Sequence, residues 1–215
     1  MDTKILSDII PILGKASIMT VELTVISVFL GTVIGIVVAL LKLSKNKVLC
    51  GIASFYTWII RGTPMLLQLF FFYFGLPYVG IKLDPMPAAI IGLSINSGAY
   101  MAEIIRGGII SIDKGQFEAC KALGFSYMQT MKRVILPQTF KVIIPPVGNE
   151  FITILKDTSL VSTIAMTELM RSAQQIYAAN FRPMEPFFIA GCLYLIMTTV
   201  FTVVFSFYEK KLSVY

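Results

Sequence analysis

Apolar residues in this chain gather into five runs separated by polar, charge-bearing intervals. The runs cover roughly residues 18–41, 52–76, 87–110, 142–165 and 187–208. A bilayer core of about 30 Å takes about 20 apolar residues of helix to cross. A helix also satisfies its own backbone hydrogen bonds, which hydrocarbon cannot do for it. The pattern therefore predicts an all-α polytopic membrane protein of five transmembrane helices, one transmembrane domain over residues 1–215. The second run is interrupted by Arg61-Gly62-Thr63-Pro64, the fourth is the most polar and the fifth the cleanest.

Ahead of the first run, Ile5, Ile9 and Ile12 recur at helical spacing among polar residues. Asp8, Pro11 and Lys15 interrupt the apolar core that a cleaved signal would need. A short helix on the membrane surface and a frayed end both fit. Within the first run, Gly31 and Gly35 make a small-xxx-small pattern that lets another helix approach closely. A dimer contact and chance both fit that spacing.

The longest polar interval, residues 111–141, contains KGQFEACKALGFSYMQTMKRVILP at 114–137. Lys114-Gly115 break the third helix, and residues 116–123 read as a short helix of good helix formers. Gly124 can end that helix in a left-handed conformation. Residues 125–135 read as a second short helix, and Pro137 leads back into the membrane. Such a helix–glycine–helix elbow is too polar to span the membrane. It either carries force to a soluble partner or rests as an amphipathic pair on the inner leaflet.

Composition sharpens the class. The chain is 56% hydrophobic and 14% charged, with mean hydropathy +0.81. Soluble domains run at about 45–50% apolar and about 25% charged. The net charge of +6 does not point to nucleic acid, because the basic residues sit between the apolar spans. Lys42, Lys45, Lys47, Lys132, Arg133, Lys210 and Lys211 fall on one side, against Lys4, Lys15, Lys82, Arg171 and Arg182 on the other. The basic excess marks the cytoplasmic side, so the N-terminus lies outside, the C-terminus inside and the elbow in the cytoplasm. With no His, and with Cys50, Cys120 and Cys192 scattered, neither a metal site nor an intramembrane enzyme is indicated.

Within the elbow, Glu118-Ala119-Cys120, Gly124 and Val134-Ile135-Leu136-Pro137 closely resemble the EAA loop of ABC-importer permeases. The family pattern is Glu-Ala-Ala, three residues, Gly, nine residues, Ile, one residue, Leu-Pro. Cys120 stands for the second Ala and Val134 for the Ile. RGTPMLLQLFFFYFGLP at 61–77, GAYMAEIIRGGIISIDKGQFEACKALG at 98–124 and KDTSLVSTIAMTEL at 156–169 are similar to the polar amino-acid uptake branch of that family. The resemblance implies a type I ABC importer-like fold in a prokaryotic plasma membrane. The elbow would then be a coupling helix docking, through Glu118, Ala119, Cys120 and Gly124, onto a separate ABC ATPase subunit that holds ATP and Mg. It further implies a second permease subunit, identical or paralogous, and an extracytoplasmic amino-acid-binding protein, with no cofactor on this chain. The chain itself carries no Gly-x-x-x-x-Gly-Lys-Ser/Thr phosphate loop, so the motor would be another protein.

Charges inside a span are costly and mark candidate function. Asn96, Tyr100 and Glu103 fall at i, i+4 and i+7, on one helical face. In the fourth run Pro145-Pro146 and Gly148 weaken the helix, and Thr153, Asp157, Thr158 and Ser159 follow, with Asn149, Glu150 and Lys156 beside them. Glu22 lies towards the outer end of the first run. These residues are read as a polar substrate path, an amino acid needing acceptors such as Glu103 and Asp157 and donors such as Asn96 and Thr158. The competing reading makes Glu103, Lys156 and Asp157 paired ions that hold the bundle together. Span acids outnumber span bases, which favours a basic amino acid and makes Glu103→Gln more harmful to basic than to neutral uptake. The alternative function is a stand-alone ion-coupled carrier or channel using the same acids.

Overall fold

The computed structural model describes residues 3–213, and every regular element among them is helical. The first helix, α1, runs Thr3–Lys42 without a break and takes Pro11 inside it. Neither expectation for the N-terminal segment holds, since from residue 3 it continues the first span. Tertiary packing explains this. Ile9 and Leu13 are buried against Leu169, Ala173, Ile189 and Ala190 from helices later in the chain.

A tight turn leads to α2, Lys47–Arg61, whose N-cap Asn46 accepts from the Val48 and Leu49 N–H groups. The second run is not one helix. Gly62 closes α2, and Pro64, extended at ψ 139°, has no N–H with which to continue it. The chain resumes as α3, Met65–Phe70, then a π-turn Phe71–Gly75 and a 3-10 turn Leu76–Val79. The two halves meet at 104°. Next comes α4, Pro85–Ile110, the central helix.

α1 packs along α4 more extensively than any other pair of elements. The two helices run parallel, because Gly31 lies against Ser97 and, one turn on, Gly35 against Met101. A Cβ on Gly35 would sit 2.5 Å from that of Met101, and one on Gly98 would sit 2.7 Å from Ile34 Cγ2. The small-xxx-small pattern thus serves a crossing inside the chain.

The elbow follows as α5, Lys114–Ala122, and α6, Tyr127–Thr130, continued by a π-turn Met131–Ile135 into α7, Leu136–Asp157. A 3-10 turn, Thr158–Ile164, ends α7 at Ala165, which is left-handed with φ 62°. The fourth run is therefore helical only to Asp157. Then come α8, Leu169–Asn180, and α9, Met184–Ser213. Among the described residues three helices are long and apolar enough to cross a membrane, four if the bent α2–α3 pair counts as one span. The 22-residue α7 is not among them, although Gly148 packs it against Phe205 and Phe151 stacks on Phe201 of α9.

Candidate substrate path and coupling elbow

The elbow is stiffened at each joint. Asp113 caps α5 by accepting from Gly115 N–H, and Ser126 and Gln129 cap α6 reciprocally. Gly124 takes φ +78°. Its N–H donates to Lys121 O and that of Phe125 to Cys120 O, both at 3.0 Å. This is the hydrogen-bond pair of a helix closed by a left-handed glycine. Buried Ile109, Ile112 and Ile135, with Phe117 and Met131, fasten the elbow to the C-terminal end of α4. Glu118, Ala119 and Gly124 are exposed, and so are Leu123, Tyr127 and Met128, at 75%, 73% and 70%. Cys120 turns inward, 5% exposed, away from this exposed face of the elbow.

Asn96, Tyr100 and Glu103 do share one face of α4, but that face is the seam with α2 and α3. Asn96 donates to Gln68 Oε1 at 3.0 Å, and Gln68 in turn donates to Ile60 O, Thr63 O and Thr63 Oγ1 around the helix break. Arg61 lies over the Tyr100 ring, 5.2 Å from its centroid. Glu103 accepts from Lys42 and, at 2.8–2.9 Å, from Arg106, while Lys42 also donates to Thr57 Oγ1. An open groove of about 430 Å³ lies here, lined by Lys42, Ser54, Thr57, Trp58, Arg61 and Glu103.

One carboxylate thus holds two cations, and removing its charge leaves both without this counter-ion. Glu103→Gln is accordingly expected to lower the amount of folded chain and to reduce uptake of arginine and of glutamine in equal proportion. Uptake of both, normalised to chain in the membrane, checks this; a loss confined to arginine would return Glu103 to the substrate path.

The end of α7 is arranged differently. Asn149, Thr153 and Lys156 project from their own chain along one exposed stripe, and Thr153 Oγ1 returns its proton to Asn149 O. Asp157 and Ser159 are half-buried, Asp157 with Lys156 beside it. Thr158 is fully buried and donates to Leu155 O at 2.7 Å. Glu150 points the other way, 7% exposed, against Ser97, with Asp157 and Arg61 acting on it through space. Neither Glu150 Oε1 nor Ser97 Oγ completes a hydrogen bond. Glu22 is exposed on α1.

Sequence reasoning passed over three residues. Lys42 and Gln68 carry no local signal, because their partners Glu103 and Asn96 lie far along the chain. The third is Glu168, fully buried, which caps α8 and reaches two other helices. It stands directly before α8, but glutamate is not a usual N-cap residue. Its other partners, Thr20 and Tyr194, lie far along the chain, so no local signal marks it. Burial pushes its carboxyl up from the usual range, and the Met170 and Arg171 N–H groups, Tyr194 and Thr20 pull it back.

Comparison with known proteins agrees along nearly the whole chain. The family model described as "Binding-protein-dependent transport system inner membrane component" matches residues 31–214. The arginine transport system permease protein ArtQ of Bacillus subtilis is 43% identical over 205 residues, 95% of this chain and 94% of that protein. The L-cystine transport system permease protein TcyB of the same organism is 42% identical, covering 95% and 88%. A putative glutamine transport system permease protein, GlnP of Rickettsia felis, is 41% identical, covering 93% and 92%. A crystal structure of an amino acid ABC transporter with histidines superposes with TM-score 0.93 at 39% identity, over 98% of this chain and 99% of the other.

Proposed function

Because the chain belongs to the family of binding-protein-dependent transport system inner membrane components, we propose that it is the membrane-spanning subunit of an ATP-driven importer of polar amino acids. It is a permease subunit and not an enzyme, and hydrolysis of ATP with Mg belongs to a separate ABC ATPase. In this reading α7 and the bent α2–α3 pair also cross the bilayer, making five spans with the N-terminus outside and the C-terminus in the cytoplasm. The setting is a prokaryotic plasma membrane. The assembly includes a second permease subunit, identical or paralogous, and an extracytoplasmic amino-acid-binding protein.

The observation that carries the ATPase partnership is the elbow. Its exposed apolar tip stands on a joint whose hydrogen bonds and buried anchor leave it little freedom. A stiff short helix can pass a domain movement across an interface, and a loose loop cannot. Glu118, Ala119 and Gly124 form the contact. On the substrate side, the exposed end of α7 offers opposite charges one residue apart, Lys156 for a carboxylate and Asp157 for an ammonium, with Thr153 and Ser159 beside them. The surplus of acids over bases within the spans supports a basic amino acid over a neutral one. The substrates named for the relatives, arginine, L-cystine and glutamine, make polar amino acids the class.

Captured from its membrane in mild detergent, the tagged chain is expected to bring with it a protein bearing a phosphate loop. The reconstituted complex is expected to accumulate arginine in preference to glutamine only when ATP is present. Uptake by the chain alone, without ATP, would return the reading to a stand-alone carrier. Equal uptake of the two amino acids would remove the basic preference.

A further inference from the structure

The turn that follows Asp157 is held by a buried polar knot away from the seam and the elbow. Glu168 is its centre. Oε2 accepts from Met170 N–H at 2.9 Å and from the Tyr194 hydroxyl at 2.8 Å, and Oε1 accepts from Arg171 N–H at 2.8 Å. Thr20 Oγ1 lies 3.4 Å from Oε2 and accepts from Leu169 N–H at 3.2 Å. The Thr158 hydroxyl sits beside the Tyr194 oxygen. Thr20, Thr158 and Glu168 are all fully buried. One carboxylate therefore joins α1, α8 and α9, and through Tyr194 reaches the first residue after α7.

The chain between the two ends of this knot is strained. Ala165 sits at φ 62°, a conformation that costs a residue with a Cβ and persists only where its surroundings fix it. Its N–H donates to Ser162 O and that of Met166 to Val161 O, so the turn is closed locally. Local bonds set its shape but not where it stands relative to α1 and α9. The knot supplies that second constraint at Glu168, three residues after Ala165, while Thr158 is buried at the start of the turn and donates to Leu155 O.

We propose that Glu168 and Tyr194 are positioning residues for transport, which with Thr20 fix the turn after α7 so that Asp157 and Ser159 are presented to the amino acid at a set place. They touch no substrate themselves, and the inference rests on the end of α7 being part of the path. A carboxylate ringed by donors is stiff, because each hydrogen bond to a charged group is stronger than one between neutral groups. Tyr194→Phe removes the hydrogen bond from α9 to Glu168 while leaving both backbone donors at the start of α8 in place.

The test uses the detergent-solubilised complex with its ATPase subunit, with binding of labelled arginine, basal ATP hydrolysis and thermal unfolding measured side by side. Tyr194→Phe is expected to weaken arginine binding several-fold with basal hydrolysis unchanged, and, because the lost hydrogen bond reaches a buried carboxylate, to lower the unfolding temperature as well. Thr20→Ser, which keeps the hydroxyl, is expected to bind as the parent does. Unchanged arginine affinity in Tyr194→Phe would overturn the proposal, as would a lower unfolding temperature with affinity intact. Failure of the parent complex to bind arginine, glutamine or cystine would instead overturn the path reading, and the proposal with it.

Discussion

Gly124→Val is expected to cut ATP-driven uptake about tenfold or more while the chain still inserts into the membrane. Gly124 holds φ +78° with nothing within 4 Å of where its Cβ would be, so the penalty is purely conformational. A left-handed residue with a Cβ costs about 1–2 kcal/mol, and a β-branched one is placed there least readily. An elbow that relieves that strain gives up the Phe125-to-Cys120 bond and swings α6 relative to α5. The exposed Leu123, Tyr127 and Met128 are then no longer presented together. A free-energy change of 1.4 kcal/mol is a factor of about ten in an equilibrium. Gly124→Asn separates conformation from size, because asparagine tolerates the left-handed region, and it should keep most of the uptake. Uptake and ATPase co-purification, both normalised to inserted chain, give the readout. Full coupling in the valine variant would remove the elbow from the mechanism.

Gly35→Leu is expected to have a larger effect of another kind, loss of the folded chain itself. The crossing of α1 and α4 leaves 2.5 Å between a Cβ on Gly35 and that of Met101, and 3.0 Å to Ala102 N. Backbone cannot move aside as a flexible side chain can. The two helices must part along their length, at the site of the most extensive packing in the molecule. Overpacking a tight core typically costs about 1–3 kcal/mol, and backbone contact puts this change at the upper end or beyond it. Membrane helices associate mainly through such close packing, so little else would restore the pair. Monodisperse protein recovered on size exclusion should fall to a small fraction of the parent. Gly51→Ala is the control, since nothing lies within 4 Å of Gly51. Normal recovery of Gly35→Leu would mean that the crossing is looser than these distances allow.

What the sequence made legible follows the range of the forces involved. The elbow was readable because its signals are local: a run of helix formers, a glycine at the joint and a proline beyond. Gly31 and Gly35 announced a close approach, but a spacing cannot name the helix that approaches, and α4 lies more than sixty residues on. Glu103 stood out as a costly charge, while its partner Lys42 looked like an ordinary loop-edge cation. The face shared by Asn96, Tyr100 and Glu103 was rightly drawn. That it would be covered by Gln68, Arg61 and Lys42 depended on the bend at Pro64 folding α2 and α3 against it. The N-terminal segment was misjudged because its helix is held by Ile9 and Leu13 packing against α8 and α9. Glu168 escaped notice for the same reason, with hydrogen-bond partners at positions 20 and 194.

The parallel crossing of α1 and α4 has a mechanical meaning. Two rods touching backbone to backbone at successive turns cannot easily slide or roll past one another, so they turn as one beam. The elbow is fastened to one end of that beam through Ile109 and Ile112. α4 has 26 residues, which makes the beam about 39 Å long. A tilt of about 10° about its elbow end would carry the far end sideways by about 7 Å, more than the diameter of a water molecule. The pair therefore forms a lever arm in which a small displacement at the elbow is multiplied along its length, with no need for any helix to bend or unwind.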